Sequence, residues 1–108
     1  MPADYDGWAA AGNDLWSWSN VLPVFRAMER DSDFNNQWHG SEGPIPISRP
    51  SKIDLTPLSQ AFVAACLRLG FSYLPDHQDP VGSGVGPIPF NQQAGRRIST
   101  ALAYLTPS

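Results

Sequence analysis

Two stretches of alternating proline set the strongest limit on what this chain can build: GPIPISRP at residues 43–50 and GPIPFNQ at residues 86–92. In an extended strand the N–H groups of alternate residues point to the same side. Pro44 and Pro46 therefore remove two donors from one side of the first stretch, and Pro87 and Pro89 do the same in the second. Each stretch can pair normally along its other side only, which confines both to edge or irregular positions. The flanks of the two stretches do not match, so the echo reflects shared local physics and not an internal repeat.

Between them lies the clearest helix. Thr56 is placed as an N-cap, Pro57 takes the first helical position, and PLSQAFVAACLRLG runs to Gly70 as the stop. Leu58, Phe62, Ala65, Cys66 and Leu69 fall on one face, expected to be the buried one. Burial of each large apolar side chain there is worth roughly 1.5–3 kcal/mol. Two earlier helices are expected. ADYDGWAAAG is short, with acidic residues in its first turns and Gly12 at its end; WSWSNVLPVFRAMERD is capped by Ser17 or Ser19, with Val21, Phe25 and Met28 at helical spacing. Residues 31–43 read as loop, and 71–86 as a long Gly/Pro-rich connection. At the end, Ser99-Thr100 caps a short helix over Ala101 to Leu105, stopped at Pro107 and marginal unless something supports it. The class is α+β: short helices packed on a small, incomplete, mainly antiparallel sheet.

Length and composition exclude several functions. At 108 residues there is room for one domain, and an apolar fraction of 42% is too high for a disordered tail. A net charge of −3, with no run of Lys or Arg, argues against a nucleic-acid partner. No stretch is apolar for long enough to cross a membrane, and no charged-then-apolar leader is visible, so a cytoplasmic location is expected. The single Cys66 cannot form an internal disulfide. All four tryptophans (Trp8, Trp16, Trp18, Trp38) lie in the first third, a density that asks for a packing partner of matching size.

Few residues carry the pattern of a reactive site. His39 and His77 each have an acidic residue nearby, but a metal site needs further ligands in suitable geometry, and both read as loop histidines making hydrogen bonds. Cys66 sits mid-helix on the apolar face, unlike a nucleophile that needs a thiolate-stabilising setting. Gly82, Gly84 and Gly86 lack both the P-loop Lys-Ser/Thr and the spacing of a dinucleotide fingerprint. Arg96 and Arg97, just before the Ser99 cap, are the strongest polar pair. They read either as a possible anion contact or as arginines clamping neighbouring carbonyls or an Asp.

Four stretches together resemble the glucose–methanol–choline oxidoreductases: YDGWAAAGNDLWSWSNVLPVFRAME, HGSEGPIPISRP, PLSQAFVAACLRLGF and GVGPIPFNQQAGRRISTALAYLTPS. Their order and spacing match over essentially the whole chain, the G-R-R-x-S-T-A-x-A-Y-L run being the most specific. The resemblance implies a parent enzyme that uses FAD to oxidise alcohols such as choline to carbonyls. It implies that residues 1–108 are one internal fragment, mostly of the substrate-binding half. The family's G-x-G-x-x-G motif and its C-terminal catalytic His-His or His-Asn pair are not in this chain, and neither His39 nor His77 sits in that catalytic motif. No catalytic, cofactor-binding or metal residue is therefore expected here, no flavin should bind this section alone, and its partners would be the rest of the parent and, there, the alcohol substrate. Exposed apolar surface should favour self-association. The alternative is a stand-alone binding or interaction domain on the same scaffold.

Overall fold

The computed structural model describes residues 1–105. The chain falls into two compact units, one formed by Met1–Ile47 with the segment from Asn91 onward, the other by Ser48–Phe90.

In the first unit, helix α1 spans Pro2–Ala10 and α2 spans Trp18–Met28, joined through a single 3₁₀ turn at Asp14–Trp16. Ser17 stands at the cap position of α2, yet its side chain makes no cap hydrogen bond. The Asp6 carboxylate of α1 satisfies a different free donor at that end, accepting from the Trp18 N–H at 2.9 Å. Pro23 lies within α2, past its first turn. An aromatic cluster welds the two helices: Tyr5 meets Trp8, Trp18 and Phe25 at centroid separations of 5.2, 5.7 and 5.7 Å, and Trp8 meets Trp16 edge-on at 5.7 Å. Three of the four tryptophans thus find partners in this cluster, Trp8 and Trp16 in each other and Trp18 in Tyr5, although Trp8 and Trp16 keep half of their surface in solvent.

The helix that the spacing extends through Asp31 stops at Met28. Glu29–Asp31 becomes strand β1, which pairs in parallel with β2 at Ile45–Ile47, Arg30 lying opposite Pro46. The expectation of a mainly antiparallel sheet is corrected here. The unit holds one parallel pair, β1–β2, and one antiparallel pair, β3 (Gln92–Gln93) with β4 (Arg96–Arg97). The reason lies in the loop at residues 32–44, which carries the chain back to the start of β1 so that β2 runs alongside in the same sense. The β3–β4 hairpin turns through Ala94 and Gly95, both with positive φ (50° and 73°), the backbone of a tight two-residue turn. A single π-type turn follows at Ala101–Leu105, where the Ser99 hydroxyl accepts from the Leu102 N–H at 3.3 Å. The expected stop at Pro107 lies outside the described residues.

In the second unit, helix α3 spans Pro57–Arg68. The Thr56 hydroxyl accepts from the Ser59 N–H at 3.2 Å, and Gly70 takes a left-handed φ of 91° just past the end. The strand expected over 86–92 does not form as one piece. Tyr73 bridges Val85 in parallel and Ser48 bridges Phe90 antiparallel, while Pro87 and Pro89 leave the segment between without a ladder. The Gly86 backbone runs so close to its neighbour that a Cβ would lie 1.7 Å from the Leu74 carbonyl oxygen.

The core is small. Among the described residues Val21 alone is a buried member of the Val, Ile, Leu, Met and aromatic set. The α3 face expected to be buried is not: Leu58, Phe62 and Leu69 are 81%, 63% and 78% exposed. No helix among the described residues is long and apolar enough to cross a membrane.

Candidate functional site

The most enclosed polar group of the first unit is formed by His39, Glu29 and Asp31. Strand β1 alternates, so Glu29 and Asp31 point to the same buried side while Arg30 faces solvent. His39 arrives from the loop between β1 and β2. Its Nδ1 lies 3.0 Å from Glu29 Oε1 and 3.1 Å from Asp31 Oδ2, and the three side chains are 1%, 11% and 0% exposed respectively. With a carboxylate oxygen on each side, Nδ1 has to be the donor. The backbone completes the network. Glu29 Oε1 also accepts from the Gly40 N–H at 2.9 Å, and Asp31 Oδ1 accepts from Asp33 and Phe34 N–H at 2.8 and 3.0 Å. Arg26 on α2 donates through Nε to the His39 carbonyl at 3.0 Å, and Phe34 stacks on the imidazole at 5.6 Å.

The local sequence explains why the loop can come so close. A Cβ at Gly40 would sit 1.7 Å from the Arg26 carbonyl oxygen, and one at Gly43 would sit 2.3 Å from the Met28 carbonyl carbon. Only glycine fits at either place, so the HGSEG run is a backbone-contact motif. The ligand-type atoms of the three side chains lie within 4.8 Å of one another, a separation short enough for a metal ion. The hydrogen bonding assigns a different job. The Nδ1 proton and the backbone N–H groups engage Glu29 Oε1 and both Asp31 oxygens, and the result is a latch tying loop, strand and α2 together.

The second unit has its own polar lock. Arg49 donates from Nη2 to Asp76 Oδ1 and to Gln78 Oε1, each at 3.0 Å. The Arg49 and Asp76 side chains are 4% and 7% exposed. His77, next to that carboxylate, is exposed, and Cys66 is half-buried on α3. The Gly82–Gly86 run packs on the backbone and side chain of residues 72–74, so its glycines close against protein and offer no open cradle for a pyrophosphate. Arg96 and Arg97 form the exposed strand β4. Among the described residues neither guanidinium makes a hydrogen bond or ion pair, and neither joins the His39 cluster of its own unit. The latch is not legible from local pattern, because helical spacing carries Glu29 into α2 and away from His39. The signal that could find it is E-x-D, alternating by two, directly before a loop that contains His-Gly.

The comparisons with known proteins decide the family. The model of the family described as GMC oxidoreductase matches residues 1–108. This chain belongs to the GMC oxidoreductase family. An uncharacterised GMC-type oxidoreductase of Rhodococcus erythropolis is 43% identical over 106 residues, which cover 98% of this chain and 21% of that protein. The oxygen-dependent choline dehydrogenase of Brucella anthropi is 38% identical over 105 residues, 97% of this chain and 19% of the relative. The crystal structure of pyridoxine 4-oxidase from Mesorbium loti superposes with a TM-score of 0.88 at 37% identity, over 98% of this chain and 21% of that one. This GMC oxidoreductase chain therefore spans about a fifth of the length of the relatives it matches, and its helices and short strand pairs share the fold of one section of a longer enzyme.

Proposed function

We propose that this chain is a section of a flavin-dependent oxidoreductase that oxidises the CH–OH group of an alcohol, and that its own part is architectural. The observation that carries the reading is the agreement of sequence and fold, end to end, with one section of pyridoxine 4-oxidase. Choline and pyridoxine both bear a primary alcohol, which fits the reaction class. FAD would be held by parts of the parent outside these residues, since the Gly82–Gly86 run closes on its own backbone. No side chain of this section acts as acid, base or nucleophile in the proposal. The His39 latch and the Arg49–Asp76 lock hold two loops whose shape the parent uses to border its substrate-binding half. The single, half-buried cysteine suits a reducing compartment such as the cytoplasm.

The test is a graft. Residues 1–108 replace the matching section of the Mesorbium loti pyridoxine 4-oxidase, and flavin content and alcohol oxidation are measured. The expected result is a flavin-loaded chimera that oxidises an alcohol, beside an isolated chain that holds no flavin. Stoichiometric flavin on the isolated chain, or alcohol oxidation by it, defeats the proposal.

A further inference from the structure

The second unit carries an open apolar groove of about 550 Å³, walled on one side by Leu58 and Phe62 of α3 and on the other by Val85, Ile88 and Phe90. Ile88 is 65% exposed, and Phe90 keeps about half of its surface in solvent. These residues come from both ends of the unit, and α3 presents them in register: Leu58 and Phe62 are four apart, one helical turn, on the same stripe. The segment opposite carries Pro87 and Pro89, which remove the donors along one of its sides and leave it poorly suited to recruiting a further strand there. What it offers a partner is side-chain surface. A groove of this kind accepts an apolar face and gives little purchase to a charged or extended hydrogen-bonding ligand.

We propose that this groove is the docking surface for polypeptide of the parent enzyme lying outside residues 1–108, which seats an apolar face between α3 and the Val85–Phe90 segment. Two facts select that occupant over a second copy or a small apolar molecule. The fold at TM-score 0.88 is shared with a section making up 21% of a solved enzyme, so the relatives hold about four times as much further chain to cover it. The amphipathic stripe of α3 also has no buried member in this chain, which is how a helix looks when its core partner comes from elsewhere in the polypeptide. The inference rests on the reading of the chain as a section of a longer oxidoreductase, and it names which surface makes the join.

The experiment uses thiol labelling. In a Cys66→Ser background, Leu58→Cys and Ile88→Cys are introduced singly, both in the 108-residue chain at low concentration and in the chimera with the Mesorbium loti enzyme. Thr56→Cys, whose side chain caps α3 away from the stripe, serves as the control site. Labelling at 58 and 88 is expected to slow by about tenfold or more in the chimera, as it does when a site reacts only through local opening, while position 56 changes little. Equal labelling in both settings overturns the proposal. So does protection in the isolated chain that grows with its own concentration, which identifies a second copy as the occupant, or a chimera that never becomes soluble, which shows that the face does not fit. A chimera that protects both sites yet oxidises no alcohol leaves the docking surface standing and refutes the proposed reaction instead.

Discussion

Replacing His39 by leucine tests the latch most directly. The imidazole places one Nδ1 proton between two carboxylates, 3.0 Å from Glu29 and 3.1 Å from Asp31. Leucine fills much of the space and donates nothing, so two enclosed acids are left facing each other. A hydrogen bond to a charged group contributes about 1.5–3 kcal/mol, and removing one partner from a buried charged set costs about 3–5 kcal/mol. The backbone donors at Gly40, Asp33 and Phe34 remain and hold the loss toward the lower end of that range. A cost of about 3 kcal/mol is then expected, a large share of the 5–15 kcal/mol typical of a folded domain. Urea unfolding followed by tryptophan fluorescence reads it, since Trp38 adjoins the substituted position. With a slope of about 1–3 kcal/mol per molar, the midpoint falls by about 1 M or more. His39→Asn, whose amide can donate from nearly the same place, should recover much of the loss. His77→Leu on the exposed loop should shift stability by no more than about 0.5 kcal/mol. If His39→Leu moves the midpoint no further than His77→Leu, the latch contributes nothing and the reasoning fails.

In the second unit, Arg49→Met leaves the Asp76 carboxylate enclosed without its cation, and a loss of about 3–5 kcal/mol is expected by the same unfolding assay. Gly86→Ala drives a Cβ into the Leu74 carbonyl and should cost about 1–3 kcal/mol; hydrogen exchange at the Leu74 and Val85 amides, which hold the bridge, should speed up while α3 amides change little. Thr56→Ala removes the α3 cap, with a loss of about 1 kcal/mol and fraying confined to the first turn in exchange data. Ala94→Asn carries the opposite sign: an L residue at φ 50° in a two-residue turn is strained, asparagine tolerates that region, and the unfolding midpoint should rise.

How much of this was legible in advance depended on the range of the interaction. The start and stop of α3 were readable because a cap, a first-turn proline and a C-terminal glycine act over three or four residues. The same holds for the absence of regular ladders around Pro87 and Pro89, where a missing donor needs no tertiary context. Beyond that range the reading faltered. Ser17 has the right residue type for a cap, but its hydroxyl meets the Ser19 hydroxyl instead, and the first N–H of the helix, that of Trp18, is taken up by Asp6 from another helix. Glu29 and Asp31 continue a helical pattern by composition, and only the return of the loop with its two close-approach glycines turns them into a parallel strand.

The family was written in the sequence itself, in the order and spacing of four stretches that match over residues 1–108. Tertiary structure alone decided which groups meet: His39 with two acids ten and eight residues earlier, Arg49 with Asp76 across twenty-seven. It also decided that the apolar stripe of α3 stays in solvent. Periodicity states which face of a helix is apolar, because side-chain direction follows from backbone geometry. Whether that face is covered depends on what surface lies opposite, and no local rule along the chain carries that information.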